Sequence, residues 1–278
     1  MKVVLVQLNG QPDKSHNLER IARLVDDACA AERPDWVLLP EMVTSIGGDR
    51  ETRRAAAETF PEGDTYRLLQ DLARRHEVLL HGGSLLERGP DGKCWNTTVV
   101  FDRGGRDLGR YRKIHLFDIE TPSGRVFRES DAFAAGAEVV TLTQVTPPLG
   151  LSICYDLRFP ELYQELARQG AEVIAVPSAF TVETGRDHWE VLLRARAIET
   201  GSWVLAAAQW GVHGPTGRTS YGHSLVVDPW GHVTARLGDG EGWLAARLDP
   251  GKIARVRRQI PVHDHKVIGI DPKPARPA

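Results

Sequence analysis

Cysteine is scarce in this chain: Cys29, Cys94 and Cys154 are the only three in 278 residues. They are odd in number, far apart and form no CxxC pair, which argues against a disulfide framework and suits a reducing cytoplasm. No run of 18 apolar residues occurs, so no membrane-spanning helix is expected. The apolar start at residues 3–8 is too short for a signal peptide and reads as a strand. Charge of one sign is not in excess: 35 Lys+Arg face 37 Asp+Glu, a formal net charge of −2. That leaves no broad basic field for nucleic acid or anionic lipid. Motifs for bound groups are missing too. There is no HExxH, and His263 with His265 forms a lone HxH that reads as a polar loop, so neither metal nor cofactor is expected. No GxGxxG or GxxxxGK[ST] phosphate loop appears, and Gly82-Gly83-Ser84 lacks the last glycine of a GxSxG elbow.

What is present is alternation. Apolar runs at residues 3–8, 36–39, 78–81, 97–101, 139–142, 149–153, 173–176 and 203–208 read as strands. Helical periodicity falls between them: Leu18, Ile21, Val25 and Ala28 share one face, and residues 64–76 form another helix. Pro160 stands at the start of a further helix that Gly170 stops, and His188-Trp189 opens the next, with Leu192, Leu193 and Ala197. Hairpin-like segments follow at residues 223–227 and 232–237, joined by Asp228-Pro229-Trp230-Gly231. This pattern predicts an α/β protein with mixed sheets, in one domain over residues 1–270 with a loose tail at 271–278.

Three polar residues stand just past apolar strands, where open α/β sheets bind ligands. Cys154 follows residues 149–153, Glu41 follows Val37-Leu38-Leu39-Pro40, and Lys113 follows the strand-like residues 108–111. Each has a plainer reading: a buried thiol, a cap or solvated loop acid, and a surface charge in the basic run Arg110-Tyr111-Arg112-Lys113. Arg158, four residues after Cys154, suits a substrate carboxylate or an ion pair with Asp156 or Glu161. His188 suits a pocket wall or a structural cap, and Trp189 the core. A Cys–His enzyme using His188 leaves the spacing of the three polar residues unexplained.

Leu38-Leu39-Pro40-Glu41-Met42, Arg112-Lys113-Ile114-His115-Leu116-Phe117 and Cys154-Tyr155-Asp156-Leu157-Arg158-Phe159-Pro160-Glu161 resemble, in order and spacing, the three signature blocks of the nitrilase superfamily of carbon–nitrogen hydrolases. The resemblance extends over residues 1–262. It implies an α-β-β-α sandwich that pairs into a homodimer, with the helices at 158–169 and 187–199 as the candidate interface. It also implies a Glu41–Lys113–Cys154 triad, a second glutamate matching Glu129, an oxyanion contact from the backbone N–H of Tyr155, and hydrolysis of a small amide to acid and ammonia through a thioester. PSAF at 177–180, HWEVLLRARAIET at 188–200 and SYGHS at 220–224 look most like the deaminated glutathione amidase branch, with omega-amidases the alternative. Nitrilases and N-carbamoyl amino acid hydrolases share the triad, and a catalytically idle scaffold on the same fold is the rival from another class. The ending departs from the family pattern at Val267-Ile268-Gly269-Ile270. Substrate choice is expected to lie with loops at 43–52, 121–130 and 211–219.

A triad of this kind makes a specific electrostatic demand. A free thiol near pKa 8.5 is only a few per cent thiolate at neutral pH. A lysine about 4 Å away stabilises the thiolate by up to ~4 kcal/mol at an effective dielectric of ~20, and an equally close glutamate opposes it by a similar amount. Cys154 is therefore expected to rest as a thiol that gives its proton to Glu41 during attack.

Overall fold

The structure is a computed structural model and describes residues 1–121 and 124–267. One sheet contains β1 (Lys2–Gln7), β2 (Trp36–Leu38), β3 (Leu79–His81), β4 (Leu85–Arg88), β5 (Cys94–Phe101), β6 (Asp107–Arg112) and, from near the other end of the chain, β17 (Gly242–Arg247). Its order is β17-β1-β2-β3-β5-β4, with β6 also paired to β5. The other sheet runs β16-β15-β12-β11-β10-β9. It comprises β9 (Thr141–Leu142), β10 (Leu149–Leu151), β11 (Val173–Ala175), β12 (Trp203–Ala206), β15 (Leu225–Val227) and β16 (Val233–Arg236). Two hairpins stand outside the sheets: β7 (Asp118–Glu120) with β8 (Val126–Arg128), and β13 (Trp210–His213) with β14 (Arg218–Tyr221).

The burial of β1 shows why its sequence is an unbroken apolar run. Successive side chains of a strand point to opposite faces. Val3 and Leu5 join the core shared with the second sheet, alongside Leu149, Leu151 and Val173. Val4 and Val6 face α1 (Lys14–Glu32) and α3 (Asp64–His76), packing with Ile21, Val25, Leu69 and Leu72. On the second sheet, α4 (Pro160–Arg168) and α5 (Val182–Thr200) close the outer face through Leu162, Leu166, Trp189 and Leu193. The layers are thus α-β-β-α, and both sheets are mixed: β1, β2 and β3 run parallel, as do β10, β11 and β12, while antiparallel strands flank them.

Several expectations need correction. The helix predicted to open at His188 begins at Val182, because the Thr181 hydroxyl caps the Thr184 N–H. The candidate loop at 211–219 is largely the β13–β14 hairpin, and 43–52 runs into α2 (Arg50–Ala56), capped by Asp49. His263 lies in the short helix α7 (Val262–His265), after α6 (Pro250–Gln259), with its Nε2 3.0 Å from the Thr200 carbonyl. The predicted tail at 271–278 and the family departure from Ile268 lie outside the described residues. No helix among the described residues is long and apolar enough to cross a membrane.

Candidate active site

Glu41 and Cys154 both sit past the carboxyl ends of parallel strands, β2 and β10, and both local backbones are constrained. Cys154 has φ +50°, a left-handed conformation that non-glycine residues seldom adopt, and Met42, next to Glu41, has φ +60°. Strain of this kind persists only where surrounding contacts dictate it. The Cys154 N–H donates to the Pro177 carbonyl at the end of β11 (3.0 Å). The Met42 N–H donates to Ser84 Oγ (2.9 Å), and the Glu41 carbonyl accepts from Gln209 Nε2 (2.8 Å). Gly82-Gly83-Ser84, read in sequence only as a failed serine motif, is thus the clamp on the Glu41 loop. Gly83 has φ +64°, and a Cβ there would meet the Pro40 carbonyl at 1.9 Å, so no other residue fits.

Lys113 follows β6 and is 2% exposed, as is Glu41; both plainer readings, solvated loop acid and surface charge, fail on burial. Lys113 Nζ donates to Glu41 Oε1 (3.2 Å) and to both oxygens of Glu129 (3.0 and 2.8 Å). Glu129 itself follows β8 and takes a further hydrogen bond from the Phe117 N–H (2.6 Å). Asn96 Nδ2 donates to Glu41 Oε1 (2.9 Å), so both donors reach the same oxygen. Glu41 Oε2 is buried and has no hydrogen-bond partner among the described residues.

Burial pushes the Glu41 carboxyl up, but the Lys113 charge, the adjacent Cys154 thiol, Arg218 and Asn96 outweigh it and hold the group below its ordinary 4.5. Burial first, then the Glu41 charge, push the Cys154 thiol well above its ordinary range, against the pull of Lys113 and the Ala179 backbone. Burial opposes the Lys113 charge, yet Glu129, Glu41 and Cys154 together raise its pKa. The resting constellation is a thiol beside an ionised carboxylate and a permanently charged ammonium.

A second network ties the lysine loop to the cysteine turn. Asp156, fully buried in the 3₁₀ turn that starts at Cys154, accepts from the Tyr111 hydroxyl (2.6 Å), the Ile153 N–H (2.8 Å) and the His115 N–H (3.1 Å), with His115 Nδ1 at 2.8 Å. One carboxylate therefore joins the chain on both sides of the site, and losing it would orphan several donors at about 1–3 kcal/mol each. This use of Asp156 removes it as a partner for Arg158. Among the described residues Arg158 forms no ion pair, with Glu161 or any other acid. Its guanidinium lies over the rings of Phe180 (5.4 Å) and Tyr155 (5.9 Å) and 3.2 Å from His188 Nδ1. His188 is exposed on α5 and does not line the pocket, whereas Trp189 is core, its Nε1 donating to the His223 carbonyl.

The pocket, of about 170 Å³, has Glu41, Lys113, Glu129 and Cys154 together with Tyr155 and Arg158 in its wall. Phe117, Phe127, Phe133 and Phe180 supply apolar lining, and Arg53, Arg128 and Arg218 add charge. The Tyr155 N–H lies in the first turn of a helical segment, where backbone N–H groups lack an intrahelical acceptor. Sequence reasoning missed Asn96, Asp156, Arg53 and Arg218. Arg218 falls within the predicted loop at 211–219, but nothing local distinguishes Arg53 from its neighbour Arg54. Among the described residues, no group of three or more His, Cys, Asp or Glu is placed to hold a metal ion.

A mixed α-β-β-α sandwich with this acid, ammonium and thiol at one pocket defines a class: hydrolases of carbon–nitrogen bonds other than peptide bonds. The chain belongs to the carbon-nitrogen hydrolase family, whose model matches residues 2–258, and the nitrilase-superfamily resemblance is borne out. It is 40% identical over 266 residues to a deaminated glutathione amidase of Synechocystis sp., covering 94% of this chain and 96% of that one. It is 37% identical over 273 residues to the omega-amidase NIT3 of Saccharomyces cerevisiae, covering 94% and 91%. The solved structure of the NitFhit protein of Caenorhabditis elegans superposes with a TM-score of 0.88 at 37% identity. That likeness covers 95% of this chain, which spans 64% of the solved one.

Proposed function

We propose that this protein is a thiol amidase acting on a small, carboxylate-bearing amide of the deaminated glutathione type, releasing an acid and ammonia or an amine. The observation that carries the reading is the convergence of Glu41, Lys113, Glu129 and Cys154 in one pocket, with Glu41 Oε2 left without a partner beside the thiol. Cys154 Sγ attacks the amide carbonyl as Glu41 takes its proton; the C–N bond breaks as Glu41 passes that proton to the departing nitrogen. Glu41 then takes a proton from water as it adds to the thioester, and the C–S bond breaks to restore the thiol. Lys113 and the Tyr155 N–H stabilise the oxyanion, and Glu129 holds Lys113 in place. Arg158, free of acidic partners, binds a carboxylate on the acyl half.

A panel of deaminated glutathione, 2-oxoglutaramate, aliphatic amides, nitriles and N-carbamoyl amino acids tests this. Hydrolysis of the first two ahead of the rest is expected, and activity confined to nitriles or ureido acids overturns the amidase reading. Relative rates on deaminated glutathione and 2-oxoglutaramate decide between this activity and an omega-amidase.

The reading assigns the activity to one domain over residues 1–270, in a reducing cytoplasm that suits three free, buried thiols. It also includes a homodimer joined through α4 and α5. Val191 and Ile198 stand two turns apart on α5 and are 66% and 51% exposed, an apolar face that pairing would cover. Sedimentation of the wild type at dimer mass, with Val191→Asp and Ile198→Asp moving toward monomer, is the expected result; a monomeric wild type removes this part.

A further inference from the structure

Successive side chains of β5 point to opposite faces of the sheet. Thr97 Oγ1 donates to Glu87 Oε2 (2.7 Å), while Asn96 and Thr98, on either side of it, turn toward the Glu41 loop. Thr98 Oγ1 donates to the Gly83 carbonyl (2.6 Å), within the clamp on that loop's backbone. Asn96 reaches the carboxylate itself, its Nδ2 donating to Glu41 Oε1 at 2.9 Å. The Asn96 backbone carbonyl also accepts from the Lys113 N–H (2.9 Å). One residue thus holds the base through its side chain and the lysine through its main chain.

Lys113 does not fix the carboxylate unaided. Glu129 takes two of its ammonium bonds, at 3.0 and 2.8 Å, and the remaining one reaches Glu41 Oε1 at 3.2 Å. Asn96 gives Oε1 its shorter bond. With both donors on Oε1 the carboxylate cannot turn over, and the lone pairs left uncommitted are those of Oε2, beside the thiol. Asn96 is 1% exposed, and its own Oδ1 is buried without a hydrogen-bond partner among the described residues. A buried amide oxygen left unpaired costs stability, so an apolar side chain would suit this position better for packing alone. What asparagine supplies and an apolar residue cannot is the donor to Glu41.

We propose that Asn96 is a positioning residue for the hydrolysis: resting on the amidase reading above, it holds Glu41 Oε1 so that Oε2 alone receives the Cys154 proton and passes it to the departing nitrogen. As sulfur joins the carbonyl carbon, the S–H bond breaks and an Oε2–H bond forms; the same proton then leaves Oε2 for nitrogen as the C–N bond breaks. Oε1 keeps its bonds to Asn96 and Lys113 throughout. Burial pushes the Glu41 carboxyl up, and Asn96 is one of the groups, after Lys113, the Cys154 thiol and Arg218, that bring it below its ordinary 4.5. A donor to a carboxylate favours its ionised form, so removing the donor raises the pKa.

Asn96→Leu and Asn96→Ala, the one filling the space and the other emptying it, share the loss of the donor, and both keep the carbonyl that holds the Lys113 N–H. In each, kcat on the preferred amide is expected to fall roughly 10- to 100-fold with KM unchanged, and the acid limb of kcat/KM to move up by about one to two pH units, as loss of a hydrogen bond to a charged group implies. A lower kcat with the acid limb in its wild-type place makes Asn96 a structural residue only and overturns the proposal, as does wild-type kcat in either folded variant. A wild-type protein that hydrolyses no amide overturns the amidase reading and the role of Asn96 with it. Where neither variant folds, the side-chain amide resonances decide. Asn9, Asn17 and Asn96 are the only asparagines, so isotopically labelled asparagine gives three amide pairs. At neutral pH one proton of one pair is expected far downfield in the wild type and upfield of that place in Glu41→Gln; three pairs that coincide between the two proteins overturn the contact and the proposal.

Discussion

Cys154→Ala abolishes amide turnover while leaving a folded protein. The substitution removes the one cysteine among the described residues that line the pocket and, with it, the thioester through which acid and amine leave separately. It deletes one sulfur from a residue that is 8% exposed, and the Cys154 N–H can still donate to Pro177, so the turn keeps its anchor. Product assays should show no acid above background, and intact-mass measurement during wild-type turnover should show an acyl adduct that the variant lacks. A thiol reagent gives a companion readout. All three thiols are raised by burial, but only Cys154 lines the pocket and has the Glu41 carboxylate beside it to take its proton, so labelling should fall on Cys154 alone and vanish in the variant. Full activity in purified Cys154→Ala protein would sink the mechanism.

Glu41→Gln keeps the side chain's shape and an oxygen for Asn96 and Lys113, but removes the base. General-base catalysis is worth roughly 10²- to 10⁴-fold, and kcat/KM should fall within that range. The pH profile separates this role from a structural one. Glu41 is held below its ordinary 4.5, so it remains an ionised base throughout the neutral range and gains a proton only in acid. Wild-type kcat/KM should therefore be flat near neutrality and decline only as the pH drops below about 4.5, and Glu41→Gln should lose that acid limb. Because the Cys154 thiol is raised well above its ordinary value, no separate rise should mark thiolate formation near pH 9, and alkylation of Cys154 should slow in Glu41→Gln. An acid limb that persists in Glu41→Gln would assign it to another group.

The parts legible in sequence share one property: each is a statement about neighbours along the chain. Apolar runs marked the strands because β1 is buried on both faces, by α1 and α3 on one side and the second sheet on the other. Pro160 marked the start of α4 because its missing N–H is no loss in a first turn. The helix start at Val182 was illegible because its cap, Thr181, sits in a polar stretch where several residues cap equally well. The β7–β8 and β13–β14 hairpins, which deliver Glu129 and Arg218 to the pocket, were read as loops because short, half-exposed strands carry little hydrophobic period.

The sequence by itself determined the α/β alternation, the family and the residue types of the triad, since three spaced blocks with strand-end acid, lysine and cysteine specify them jointly. Only the tertiary structure decided which of those charges are buried, which oxygen of Glu41 is left for the proton, and that Asp156 serves the Tyr111–His115 network and leaves Arg158 free. It also brought Arg53 and Arg218, 165 positions apart, into the lining of one pocket, neither forming an ion pair with a described residue. The reason is physical: pattern along a chain reports periodicity and propensity, whereas burial, charge pairing and an unpartnered atom depend on distances between segments remote in sequence.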